Sequence, residues 1–155
     1  MKRSIFYVLI NILVLCSCGE YECSKAEARF LLIGFSNIET DTIMFRKYTK
    51  STNFVSTLDT VLITPNNTSY YFNGDTLQFT AFSSNILITS NFDYEISLPK
   101  ARKTFKLAKI TEKQRSLRRS FGINKVGCNN LLTSYELNGQ LTSVENIPNI
   151  LYLKK

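Results

Sequence analysis

A chain of 155 residues carrying 19 basic and 12 acidic side chains, net +7, amounts to one domain's worth of sequence. Aromatics at 12% against charged residues at 20% exclude disorder, and six glycines with three prolines exclude a fibrous or low-complexity chain. The absence of histidine removes the commonest general base and the commonest metal ligand together.

The first eighteen residues read as an address. Lys2 and Arg3 give a positive start, an apolar run from Ile5 to Leu15 is broken only by Asn11, and Cys16-Ser17-Cys18-Gly19 follows. A run of about twelve residues is too short for a membrane span, which takes roughly 20. Charge, short apolar run and small residues fit a secretory signal over 1–17. Leu15-Cys16-Ser17-Cys18 resembles the lipobox of bacterial lipoproteins, in which an apolar residue and two small ones precede the acylated cysteine. Cys18 fits the acceptor role; Cys16 fits it worse, because bulky Leu15 stands where a small residue is expected. An ordinary cleaved signal and an uncleaved anchor are the competing readings. One fatty chain binds a membrane only marginally, at about 0.8 kcal/mol per buried methylene. The two or three chains that the resemblance implies would hold the protein firmly. The expected localisation is the cell envelope, as an outer-membrane lipoprotein on its periplasmic or outer face, with residues 18–28 as a lipidated tether.

With Cys16 lost in the signal and Cys18 acylated, Cys23 and Cys128 are the thiols left. An exported, oxidising compartment suggests a disulfide between them; the alternative is a pair of buried free thiols. Such a bond closes a loop of just over a hundred residues, for which the chain-entropy model gives about 4–5 kcal/mol. Two cysteines without histidine cannot make a four-ligand zinc set, so no metal site is expected.

From Arg29 to the end the pattern predicts one all-β domain over residues 29–155. Arg29–Phe35, Thr42–Tyr48 and Phe54–Ile63 are β-type runs, the last closed by Thr64-Pro65-Asn66-Asn67. Tyr70–Phe72 meets Asn73-Gly74-Asp75, and Thr76–Phe82 resumes beyond it, a hairpin signal because both residues of Asn-Gly tolerate positive φ. Ile86–Thr89, Phe92–Leu98 and Thr104–Thr111 continue the series. Leu131–Leu137, Asn138-Gly139 and Gln140–Val144 form another hairpin. Beyond Asn146-Ile147-Pro148 an irregular C-terminal segment is expected. Runs at this spacing predict a single antiparallel β-sandwich of about seven to nine strands, Ig-like or transthyretin-like. One short helix near 112–121 competes with a continued strand. Thr111-Glu112-Lys113-Gln114 has the form of a capping box, with Leu117 and Phe121 four apart.

Gly127-Cys128 followed by Ser134-Tyr135-Glu136-Leu137-Asn138-Gly139, together with the lipobox, resembles small exported lipoproteins of Bacteroidota. Those commonly join a lipid anchor to a compact β-sandwich and have no established activity. Glu20 and Glu22 are a thin version of the acidic signal that follows the acylated cysteine in surface-displayed members.

Charge is concentrated late in the chain, with ten basic residues and one acid, Glu112, between Lys100 and Lys125. Lys113, Arg115, Arg118 and Arg119 are the candidate anion-binding residues, for an envelope protein or an anionic glycan rather than nucleic acid. The bland reading is a solvent-facing sheet edge kept from pairing with its neighbours. No phosphate loop, nucleophile elbow or histidine-based triad is present, so no catalytic residue and no cofactor is assigned. Asp93 and Glu95, two apart on one predicted strand, share a face, which usually means solvated acids. The functional expectation is a lipid-anchored, non-enzymatic binding or structural module. A small envelope enzyme working through carboxylates is the alternative, as is a polyanion-binding protein using 100–125.

Overall fold

A computed structural model describes residues 23, 25–65, 70–79, 86–116, 128–144 and 149–155. The proposed signal 1–17, Cys18, Arg118, Arg119 and the 117–121 part of the candidate helix lie outside the described residues.

Among the described residues, ten strands form two sheets. They are β1 (Arg29–Ile33), β2 (Ile43–Thr49), β3 (Thr57–Ile63), β4 (Tyr70–Asn73) and β5 (Thr76–Phe79). Then come β6 (Phe92–Leu98), β7 (Lys103–Ser116), β8 (Cys128–Leu137), β9 (Gln140–Ser143) and β10 (Ile150–Lys154). The larger sheet runs β3-β2-β6-β7-β8-β9 and the smaller β10-β1-β5-β4. The expected all-β sandwich is therefore present, with more strands than anticipated.

Alternation builds the core. In β6, Tyr94, Ile96 and Leu98 point inward; in β2, Ile43 and Phe45 do; in β1, Phe30 and Leu32 face them from the other sheet. Phe30 stacks on Phe45 across the sandwich with ring centroids 6.0 Å apart and planes within 7°. Phe45 in turn meets Tyr94 at 5.4 Å, so one aromatic column ties the two layers. Ala26 and Ala28 are also fully buried, so the folded unit takes in the end of the stretch assigned to the tether.

Two turns show how the sequence sets the register. Asn138 (φ 51°) and Gly139 (φ 83°) form the two-residue connection of β8 and β9, Leu137 facing Gln140, with the paired positive φ of a type I′ hairpin. The β4–β5 turn lies one residue later than the Asn-Gly signal suggests. Asn73 is already paired with Thr76, and only Gly74 takes positive φ (63°), as a type II′ turn requires.

Three expectations are corrected. Residues 111–116 are strand rather than helix, because tertiary partners take the capping-box groups. Thr111 Oγ1 bonds the hydroxyls of Thr133 (2.9 Å) and Ser134 (2.7 Å), Glu112 accepts the Ala26 amide (3.1 Å), and Gln114 donates to the Cys23 sulfur (2.7 Å). The C-terminal segment is not irregular. β10 pairs with β1 from Arg29↔Ile150 to Ile33↔Lys154 and buries Leu151 and Leu153 completely. That pairing is parallel, whereas the other strand pairs of the described residues are antiparallel, as expected. Ile86–Thr89 makes a single bridge, Ala28↔Ile88, while Ile86 and Ile88 fill the core.

Candidate binding cleft

Three irregularities meet on the outer face of the larger sheet. The β2–β3 connection folds back across β6. β7 carries a bulge at Lys109 (φ 48°), where pairing with β8 slips between Ala108 and Thr111 and the inward phase passes from Leu107 to Ile110. The Asn138-Gly139 turn closes the third side, locked to β7 by the Lys106 amide donating to Asn138 Oδ1 and the Asn138 amide donating to the Lys106 carbonyl, both at 2.8 Å. Between them lies a cleft of about 300 Å³ that Asp93, Phe54, Lys106, Lys109 and Glu136 help to line.

Asp93 sits at its base, only 3% exposed. Its Oδ2 accepts the Ser51 amide at 2.8 Å; its Oδ1 is buried and has no hydrogen-bond partner. The reading of Asp93 and Glu95 as solvated acids is therefore corrected. Asp93 is covered by the β2–β3 connection, and Glu95 is ion-paired with Arg46 at 2.5 Å. That bond raises the Arg46 pKa above its ordinary value, against the opposing effect of burial.

Strain is concentrated here. Among the described residues seven non-glycine positions take positive φ, and five of them line this cleft: Ser51, Asn53, Phe54, Lys109 and Asn138. For an L-residue that conformation costs roughly 1–2 kcal/mol, so tertiary contacts must enforce it. Those contacts are visible. The Asp93 carboxylate holds Ser51, Phe54 packs nearly perpendicular to Tyr48 with centroids 5.4 Å apart, and Lys106 Nζ lies 5.1 Å over the Phe54 ring. Lys50 donates to the Ser90 carbonyl at 2.7 Å and anchors the loop at its start.

Electrically the cleft is balanced. Lys109 and Glu136 neutralise each other at 2.7 Å, which leaves Asp93 below and Lys106 beside Phe54. No cluster of three or more metal-ligating side chains occurs among the described residues.

Of the four anion-binding candidates, two lie on β7. Lys113 is exposed on β7, Arg115 is on the same strand without a described side chain, and Arg118 and Arg119 fall outside the described residues. Lys106 and Lys109, from the same basic segment, are the ones that reach the cleft. Cys23 contacts Gln114, while Cys128 opens β8 with its backbone opposite Ser116. Asp93 gave no usable signal in the sequence, since an acid two residues from another on a strand looks the same whether solvated or covered.

Compared with protein-family models, with curated proteins and with solved structures, the chain matches none.

Proposed function

We propose that the protein is a lipid-anchored, non-enzymatic binding module of the bacterial cell envelope, tethered to the outer membrane through Cys18 and presenting the Asp93 cleft to a small ligand. One observation carries the binding part: a covered carboxylate oxygen without a donor, under a loop held in strained conformations. An unpartnered buried acceptor costs roughly 1–3 kcal/mol, and more when charged. A ligand whose entry displaces the strained Ser51–Phe54 loop far enough to donate to Asp93 Oδ1 recovers that cost. Catalysis is the weaker reading, because the cleft's second carboxylate, Glu136, is occupied by Lys109.

The anchoring part rests on Lys2, Arg3, the apolar run and the lipobox-like Leu15–Cys18. A disulfide between Cys23 and Cys128 fits this reading. The Cys23 sulfur touches Gln114, whose strand neighbour Ser116 is the register partner of Cys128. Gln114 and Ser116 stand two apart on β7 and therefore on one face, which puts Cys128 diagonally across from Gln114. The bond would fix the end of the tether to the long β7–β8 arm.

Two measurements test the proposal. The mass of the native protein should show diacyl or triacyl addition at Cys18, and Cys18→Ser should release it from membranes; a water-soluble wild type overturns the anchor. A thermal-shift screen of small polar compounds should yield at least one that stabilises the wild type but not Asp93→Asn. A screen with no compound that depends on Asp93 overturns the binding module.

A further inference from the structure

We propose that residues 51–55 are a strap that opens while the rest of the protein stays folded, and that its opening decides when the Asp93 carboxylate can be reached. The proposal rests on the binding reading and adds the regulation of that same site.

What the strap covers is unusual for an outer sheet face. Tyr48 and Asp93 are register partners on β2 and β6, and both are almost completely buried. The β2–β3 connection hides them, with Phe54 packed against Tyr48 and the Ser51 amide donating to Asp93 Oδ2. Closed, the strap keeps Asp93 Oδ1 away from water without giving it a donor. Lifting the strap returns that charged oxygen to water, which removes a standing cost of the closed form.

The strap is also lightly held. Apart from half-buried Thr52 and Phe54, its residues are exposed. Thr52 Oγ1 donates to the Thr49 carbonyl at the root of the connection (2.7 Å) and the Val55 amide to the Thr52 carbonyl (3.2 Å), so neither bond ties it to β6. Among the described residues, the hydrogen bond that does so is Ser51 to Asp93, and the Phe54 ring between Tyr48 and Lys106 completes the hold. Against these contacts stand the positive φ values of Ser51, Asn53 and Phe54, which opening relaxes. The two ends stay fixed, one by Lys50 on the Ser90 carbonyl and the other by the Thr49 amide on the Ser56 carbonyl at 3.0 Å. A short exposed segment with few buried contacts opens well before the whole fold does. Since apparent affinity scales with the fraction of molecules that can bind, this equilibrium tunes any ligand of Asp93.

The test reads two reporters on the full, processed protein in detergent micelles at neutral pH. One is hydrogen exchange of the Ser51 amide by NMR. The other is carbodiimide coupling of the Asp93 carboxyl to glycine ethyl ester, read by peptide mass. Exposed Asp59 controls for the reagent, and the Ile96 amide, in central strand β6, marks global unfolding. Ser51 protection should lie about a hundredfold or more below that of Ile96, and neither reporter should share the urea dependence of Ile96. Ser51→Gly keeps the amide and relieves its φ of 62°, by more than glycine's own loss of freedom, so both reporters should slow about threefold. Phe54→Ala keeps the strained backbone and removes the ring, so both should quicken about tenfold or more with Ile96 unaltered. Thermal melts establish that each variant is folded; should Phe54→Ala fail to fold, Ser51→Gly carries the comparison. Reporters that respond only together with Ile96, or that part company in the variants, overturn the strap and leave the binding reading to the compound screen. A screen without an Asp93-dependent compound removes the binding reading and leaves the opening itself standing.

Discussion

Tyr94 makes a clean test of how the core and the cleft are joined, because its ring and its oxygen do separate jobs. The ring is fully buried between Phe45 (5.4 Å) and Phe92 (6.4 Å, edge-on). The hydroxyl oxygen accepts the Thr89 amide at 2.9 Å and lies 3.2 Å from Thr89 Oγ1, pinning the 86–91 connection against β6. Tyr94→Phe keeps every ring contact and removes only the acceptor. A half-buried amide is then left unpaired, which costs about 1–3 kcal/mol. Taking about 2 kcal/mol and a urea dependence of about 2 kcal/mol per molar, the unfolding midpoint should fall by about 1 M at neutral pH. The gap should also depend on pH. Burial raises the Tyr94 pKa above its usual 10.0, so the folded protein keeps this proton while the unfolded chain loses it. A raised pKa means stability that is complete below pH 10 and declines above it, and phenylalanine has no such decline. Wild type and Tyr94→Phe should therefore converge as the pH passes 10, measured by urea unfolding at each pH. A midpoint shift below about 0.3 M, or parallel curves through pH 11, refutes the assignment.

Three further outcomes follow from the same geometry. Glu39 accepts from Lys155 and from Ser36, and the Lys155 hydrogen bond, ahead of those from the Ser36 amide and hydroxyl, holds its pKa at about 2 rather than 4.5. A lowered pKa gives stability that is present above pH 4.5 and lost as the pH falls through 2; Glu39→Gln should flatten that acid limb in denaturant titrations, and an unchanged limb contradicts the pairing. Leu151→Ala should cost about 3 kcal/mol and Tyr152→Ala, on the outward side of β10, under about 1 kcal/mol. Equal effects in thermal unfolding would mean that β10 is not a core strand. Cys128→Ser should lower stability by about 4 kcal/mol, and only the wild type should gain two hydrogen masses on reduction; identical masses before and after rule out the proposed Cys23–Cys128 bond.

What the sequence disclosed and what it hid divide along the range of the interactions involved. Period-two runs such as Ile43–Tyr48 and Phe92–Leu98 carry their own evidence of burial, and Asn138-Gly139 carries its own turn geometry, so both were readable. Leu151 and Leu153 alternate just as well. Their partner strand, however, begins at Arg29, and a parallel pairing across nearly the whole chain leaves no local trace. The capping-box pattern at 111–114 misled for the opposite reason. Its local helix signal is genuine, but each side chain it depends on has a better partner in β8 or in the segment leading into β1.

Apart from its Asn138-Gly139 side, the cleft belongs to the hidden class, and its construction explains why. An antiparallel sheet that keeps its register presents a surface of alternating side chains with no cavity, so a site needs places where the ladder is broken. Here the breaks lie on three separate elements: the β2–β3 connection, the Lys109 bulge and the Asn138-Gly139 turn. Neither Lys109 nor the Ser51–Phe54 stretch belongs to a residue type that prefers positive φ, Asn53 excepted, so none announces itself. Asp93 binds the strained loop with one oxygen and keeps the other buried without a partner. If Asp93 served only to hold the loop, one hydrogen bond from the Ser51 amide to an uncharged acceptor would suffice, and an asparagine would supply it without burying a charge. Keeping the carboxylate makes physical sense where something else donates to it.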